Sequence, residues 1–119
     1  MIVTKSVVQE IGVLVPTFKE EKIVILFGPQ APKELRELAV IHEFETLTKE
    51  PLKEGGTIQF GEESFTITAL GTLANHNFEE LGHISIYFQE PMEEVLPGAV
   101  FAAPHHFPTI EEGTIITIK

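Results

Sequence analysis

Turn signals recur along this chain at intervals of roughly eight to twelve residues, a spacing that favours short strands over long helices. Between the turns stand runs rich in Val, Ile, Phe and Thr, and residues 22–27 (KIVILF) form a near-continuous one. Such a run is typical of a strand that is buried on both faces. The chain is therefore expected to fold mainly as β-structure.

The strand predictions follow these runs along the chain. Residues 39–47 (AVIHEFETL) could continue a helix, but their β-branched and aromatic content favours a strand. Residues 57–60 and 64–70 are predicted to form a hairpin around a turn at 61–63. The other predicted strands or short apolar runs are residues 2–8, 12–15, 22–27, 83–88, 99–103 and 114–118.

Two segments favour a helix. Residues 32–38 (PKELREL) begin with a proline, which suits a first helical position. Residues 77–82 (NFEELG) are predicted to form one helical turn with Asn77 as its N-cap and Gly82 as its terminator. We therefore expect one compact all-β domain over residues 1–119, a barrel or sandwich of short strands with one or two short helices.

Charge and cysteine content exclude several classes of function. The chain of 119 residues has a formal net charge of −10, which argues against binding nucleic acid or anionic lipid. It contains no cysteine, which excludes disulfides and fits a cytoplasmic location. No signal peptide or membrane-spanning run is evident, so we expect a soluble protein without direct membrane insertion.

The five histidines are the side chains whose usual pKa lies near neutrality. His42 has apolar neighbours in a predicted strand, and two interpretations stay open. It is either a half-buried core histidine bonded to a backbone carbonyl, or a phosphoryl acceptor. Apolar surroundings would keep such an acceptor neutral and would exclude the water that hydrolyses a phosphoramidate.

The other histidines carry weaker signals. His83 opens a predicted strand after Gly82, where an exposed structural role and a supporting role at a site are equally open. His105 and His106 raise the question of a metal site. Adjacent side chains on an extended chain point apart, and no further ligands have suitable spacing, so we expect no metal. His76 is expected to be exposed in a polar loop.

Several segments resemble one known family. Residues 67–88 (ITALGTLANHNFEELGHISIYF) are similar to the most recognisable stretch of the glucitol/sorbitol-specific enzyme IIA family of the bacterial sugar phosphotransferase system. Residues 38–44 (LAVIHEF) fall where that family carries its phosphorylated histidine. The later segments PGAVFAA and EEGTIITIK also match its layout, so the resemblance covers nearly the whole chain.

The resemblance implies a phosphocarrier without a cofactor, in which His42 is the phosphoryl acceptor. The phosphoryl group would come from the phosphocarrier protein HPr and pass to the IIB component of the membrane permease, which phosphorylates the incoming hexitol. His83 matches the family's other histidine position and is a candidate phosphate-stabilising partner. Strand exchange into a homodimer is compatible with an open barrel.

Two expectations concern the surroundings of His42. Strand alternation should place Glu43 and Glu45 on the face opposite to His42. A convex apolar patch around His42, rimmed by glutamates, would suit a basic partner. The alternative function is a small β-barrel that binds a ligand, or a metal through His105 and His106, without phosphoryl transfer.

Overall fold

Eight strands of the computed structural model, which describes residues 3–119, form one closed barrel. They are β1 (Thr4–Ile11), β2 (Ile23–Phe27), β3 (Val40–Thr46), β4 (Thr57–Phe60), β5 (Glu63–Leu70), β6 (Ile84–Tyr87), β7 (Ala99–Ala103) and β8 (Ile115–Ile118). Their order around the barrel is β1-β3-β2-β6-β7-β5-β4-β8, and β8 pairs back with β1. The predicted all-β fold is confirmed, and it takes the barrel form.

The strand pairs explain where the long connections lie. Most neighbours are antiparallel, including the predicted β4–β5 hairpin, but β2 runs parallel to β3 and β6 runs parallel to β7. Parallel strands cannot be joined by a tight hairpin. The chain therefore crosses over between β2 and β3 through a short helix, α1 (Lys33–Arg36), and through an extended loop between β6 and β7.

The main core fills the barrel, and a smaller apolar cluster lies against it. Inward-facing residues alternate with partly exposed ones, as in β6, where Ile84 and Ile86 are buried. The smaller cluster comprises Phe27, Ala31, Ala39 and Ile41. Leu26 belongs to the main core and its neighbour Phe27 to the smaller cluster, so β2 is buried on both faces as predicted.

The helix predictions were partly wrong. The helix α2 (Ala74–Leu81) begins before Asn77, and its N-cap is Leu73 without a side-chain hydrogen bond. Asn77 lies inside the helix, since its N–H donates to the carbonyl of Leu73. Gly82 does terminate α2, with a left-handed φ of 66°. Within residues 3–119, no helix combines the length and apolar composition needed to cross a membrane.

Two strand predictions at the start of the chain also need correction. The first strand runs to Ile11, beyond the predicted end at Val8, and Ile2 lies outside the described residues. Residues 12–15 do not form a strand. The N–H groups of Gly12 and Leu14 donate to carbonyls just before β3, and the chain then enters a single 3₁₀ turn at Val15–Phe18 with proline in its first turn.

Candidate functional site

His42 lies in the middle of β3, where it is held between strand β1 and the end of helix α2. Its Cα faces Val8 across the β1–β3 ladder, and its side chain is only 1% exposed. Glu43 and Glu45 are exposed, so strand alternation separates both carboxylates from the histidine as expected. We expected an apolar patch on the surface around His42, and this expectation was wrong because the ring is buried.

Both ring nitrogens of His42 have a hydrogen-bond partner. Nδ1 lies 2.8 Å from the hydroxyl oxygen of Ser6, and Nε2 lies 2.7 Å from the carbonyl oxygen of Gly82. A carbonyl only accepts, so Nε2 carries the proton and donates to Gly82. Nδ1 of the neutral ring then accepts from the Ser6 hydroxyl. The two bonds fix the orientation of the ring and its tautomer.

Two phenylalanines complete the surroundings of the ring. The ring centroid of Phe44 lies 5.1 Å from that of His42 with an edge contact, and Phe78 stacks on the ring at 5.6 Å. Burial lowers the pKa of His42, because a charged imidazolium would lose its hydration, and the hydrogen bond to Gly82 opposes this effect. The lowered pKa favours the neutral form of the His42 ring.

Gly82 is required both by its backbone conformation and by lack of space. Its positive φ disfavours any residue with a Cβ. A Cβ at this position would lie 3.0 Å from the backbone nitrogen of Gly28 and 3.2 Å from Nε2 of His42. The preceding carbonyl, that of Leu81, accepts from Gly28 N–H and from the Gln30 side chain, each at 2.9 Å. These contacts hold the end of α2 against the end of β2.

His83 directly follows Gly82 and precedes β6. Its Nδ1 donates to the carbonyl of Leu26 at 3.1 Å, and its half-buried ring stacks on Phe27 at 4.4 Å. His42 contacts Phe44 and Phe78 of the main core, whereas Phe27 belongs to the smaller cluster. The two histidines are therefore connected through the Gly82 backbone, and their rings have different neighbours.

The remaining histidines do not converge on this site. The imidazole of His106 lies 3.3 Å from a carboxylate oxygen of Glu63, whereas that of His105 lies 4.0 Å from one of Glu90. The adjacent rings thus point to different partners, as predicted. Across residues 3–119, no three side chains of His, Cys, Asp or Glu lie close enough to share an ion. His76 is exposed as expected, but it lies in α2 and not in a loop.

The sequence made His42 a candidate but gave no sign of its two hydrogen-bond partners. The sequence predicts that Gly82 terminates a helix, but it does not show that the Gly82 carbonyl accepts a hydrogen bond from the His42 ring. Ser6 carries no motif, since it is one of several small polar residues in a predicted strand. Only the β1–β3 register places it diagonally across from His42: Ser6 pairs with Phe44 and Val8 pairs with His42.

Comparisons with known protein sequences match nearly the full chain. The family described as "PTS system glucitol/sorbitol-specific IIA component" matches residues 3–117. Glucitol/sorbitol-specific EIIA components of Shigella flexneri and Escherichia coli K12 are each 28% identical over 118 residues, which is 99% of this chain and 95% of theirs.

A solved structure shares the architecture as well. The crystal structure of a PTS system IIA component from Enterococcus faecalis V583 superimposes with a TM-score of 0.85 and 32% sequence identity, covering 94% of this chain and 96% of that one. These matches favour the phosphocarrier over the alternative of a binding module. With its barrel and nearly its whole sequence matched, this chain belongs to the family of glucitol/sorbitol-specific IIA components of the phosphotransferase system.

Proposed function

We propose that this chain accepts a phosphoryl group from phospho-HPr on His42 and passes it to the IIB component of a glucitol/sorbitol permease. Membership of the family supports the role in phosphoryl transfer. The observation that carries the choice of residue is the state of His42. Its imidazole is buried, hydrogen-bonded at both nitrogens and enclosed by phenylalanine rings, as a nucleophile protected from water should be.

The acceptor atom in this proposal is Nε2. Its partner Gly82 is buried, but it lies between Leu81, which is 41% exposed, and the half-buried His83, whereas Ser6 beside Nδ1 is 1% exposed. A partner protein therefore has a shorter path to Nε2. Because Nε2 is covered by the Gly82 carbonyl, transfer requires the segment around Gly82 to move away from the ring.

The step conserves atoms and charge. The lone pair of Nε2, in the tautomer with the proton on Nδ1, attacks the phosphorus of the donor phosphohistidine. The new N–P bond forms as the donor's N–P bond breaks, and that electron pair returns to the donor nitrogen. The positive charge carried by the donor's imidazolium moves to His42, and no metal is needed to balance the step. Positioning supplies most of the rate enhancement in such an in-line transfer.

His83 is proposed to stabilise the phosphoryl group on His42. Its Nδ1–H is directed to the carbonyl of Leu26, which leaves Nε2 available as the second nitrogen. The residue that carries this nitrogen directly follows the Gly82 segment. Movement of that segment would carry His83 with it, since the two residues are adjacent.

The charge of the protein suits a basic partner. The chain has 18 acidic residues against 8 Lys and Arg. An acidic surface attracts a basic protein during diffusional encounter and makes the association rate depend on salt. The cationic groups that neutralise the transferred phosphoryl group are then supplied largely by the partners.

The test is phosphorylation of the purified protein with phosphoenolpyruvate, enzyme I and HPr, measured by intact mass. Wild type should gain one acid-labile phosphoryl group. His42→Gln should gain none, and it should stay folded, because glutamine retains a donor and an acceptor for Gly82 and Ser6. His76→Gln, an exposed change, is the control that should be phosphorylated like wild type. Full phosphorylation of folded His42→Gln would refute the assignment of His42.

His83→Ala tests the second residue in the same assay. It should still accept the phosphoryl group but transfer it more slowly, since the acceptor nitrogen is intact. If the rates of phosphoryl transfer from HPr and to IIB are unchanged, His83 has only a structural role.

A further inference from the structure

Ser6 is a buried hydroxyl whose partner is the ring of His42. It lies in β1 at 1% exposure, and its hydroxyl oxygen is 2.8 Å from Nδ1 of His42. Burying a hydroxyl without a hydrogen bond is unfavourable, so the residue depends on this contact. An apolar pair at these two positions would avoid the desolvation of both polar groups.

The two partners of His42 differ in what they can do. The carbonyl of Gly82 only accepts a hydrogen bond, so it permits a single state of the nitrogen that it faces. A hydroxyl both donates and accepts, so Ser6 can pair with Nδ1 whether or not this nitrogen carries a proton. The ring therefore has one partner that requires a particular tautomer and one that follows either tautomer.

We infer that Ser6 is a positioning residue for phosphoryl transfer, which holds Nδ1 of His42 in both tautomers. This inference rests on the proposed function. In the structure, where the Gly82 carbonyl covers Nε2, Ser6 donates to Nδ1 while Nε2–H donates to Gly82. In the reactive state Nδ1 carries the proton and donates to Ser6, and Nε2 presents its lone pair to the donor.

The exchange between the tautomers needs only water. Once the Gly82 segment has moved, water reaches the ring, and the Ser6 O–H turns away from Nδ1. Nε2 releases its proton to this water and Nδ1 takes one proton from it, so that no net charge is gained. The Ser6 oxygen then accepts from the new Nδ1–H. After transfer the ring carries a positive charge and a proton on Nδ1, and this proton stays bonded to the Ser6 oxygen.

A second hydroxyl on β1 provides a matched control. Thr4 is also 1% exposed and lies two residues away on the same face of the strand. Its hydroxyl pairs with the Thr48 hydroxyl at 2.7 Å and accepts from the Thr48 N–H at 2.9 Å. Thr4→Val removes a buried hydroxyl from the same strand without touching His42.

The experiment compares wild type, Ser6→Ala, Ser6→Thr, Thr4→Val and His42→Gln. Thermal unfolding first establishes that each variant is folded. The ¹⁵N chemical shifts of the His42 ring then report its tautomer in the unphosphorylated protein, and rapid quench measures one turnover from phospho-HPr. Ser6→Ala should shift the Nδ1 resonance and slow the transfer roughly tenfold, the effect of losing one hydrogen bond to the reacting ring.

Rescue by threonine separates positioning from packing. Ser6→Thr, which keeps the hydroxyl, should transfer within about threefold of wild type, a small effect beside the loss of a hydrogen bond. Thr4→Val should leave the ring resonances and the rate unchanged. A folded Ser6→Ala protein with the wild-type rate would overturn the inference. If Ser6→Thr does not fold, the transfer rate and the ring ¹⁵N shifts of Ser6→Ala decide whether the inference holds.

The outcomes for the two proposals are distinguishable. Phosphorylation of folded His42→Gln would reject His42 as the acceptor, whatever Ser6→Ala does. If His42→Gln is not phosphorylated and Ser6→Ala behaves as wild type, only the inference about Ser6 fails.

Discussion

At the scale of single residues, the burial of His42 couples its protonation to the stability of the fold. The groups that contact the ring are the Ser6 hydroxyl, the Gly82 carbonyl and the rings of Phe44 and Phe78, and all are uncharged. Nothing among these contacts would compensate an imidazolium by charge. The lowered pKa is therefore a property of the enclosure, with the Gly82 bond as the opposing influence.

This coupling predicts a pH dependence of stability. The pKa of His42 is about 6.5 in the unfolded chain and lower in the folded protein. As the pH falls below about 6.5, the unfolded chain takes up a proton that the folded protein refuses, so the free energy of unfolding decreases until the folded pKa is reached. Above that range His42 contributes no pH dependence.

Chemical denaturation at pH 7.5 and at pH 5.5 checks this prediction. Wild type should lose more free energy of unfolding between these values than His42→Gln does. His76→Gln is the control, since this exposed residue does not contact the His42 ring and its replacement leaves His42 in place. Equal losses in wild type and His42→Gln would show that burial does not control the protonation of His42.

At the scale of elements, helix α2 places two site components at once. Phe78 projects from its middle onto the His42 ring, and Gly82 at its end supplies the carbonyl that covers Nε2. Its start is tied to the loop after β3 by Asn75, whose side chain exchanges two 2.8 Å hydrogen bonds with the backbone of the buried Leu52. The position of the helix thus depends on contacts at both ends.

Asn75→Ala should therefore destabilise the protein by about 1–3 kcal/mol, since it leaves backbone groups of Leu52 without partners. Asn77→Ala on the same helix is the matched control. Asn77 is not the N-cap, and Ala favours a helix interior, so the change should be within about 0.5 kcal/mol of wild type. Urea denaturation measures both. A loss at Asn77 as large as at Asn75 would contradict this account of the helix.

At the scale of the whole molecule, strand β8 closes the barrel next to β1, the strand that carries Ser6. It pairs with β1 on one side and β4 on the other, and β1 carries Ser6. The closed ladder leaves β1 little freedom relative to β3. The distance between the Ser6 hydroxyl and His42 is therefore set by the barrel as a whole.

Ile116 and Ile115 test this closure as a pair. Ile116 is 1% exposed in the core, whereas Ile115 is 39% exposed on the opposite face. Ile116→Ala should reduce the free energy of unfolding by about 2–5 kcal/mol, because it removes buried methyl groups and leaves a cavity. Ile115→Ala should cost less than about 1 kcal/mol at its exposed position. Similar losses for the two variants would mean that β8 does not close over the core as described.

The local pattern of strands and turns follows from the sequence alone. Short β-branched runs between turns predicted an all-β fold, because strand periodicity is a property of neighbouring residues. The residues around His42 left a core role and an acceptor role open, and the family resemblance selected the acceptor role. The same dependence on neighbouring residues explains why some strand predictions were wrong. Residues 12–15 are apolar enough for a strand, but their backbone groups bond to the segment before β3.

The environment of that histidine depends on the tertiary structure. Ser6 lies 36 positions before His42 and Gly82 lies 40 positions after it, so neither contact leaves a local signal. Burial, the lowered pKa and the covering of Nε2 follow from bringing three distant segments together. Such contacts depend on barrel register and on the position of α2, and no local periodicity fixes either of them.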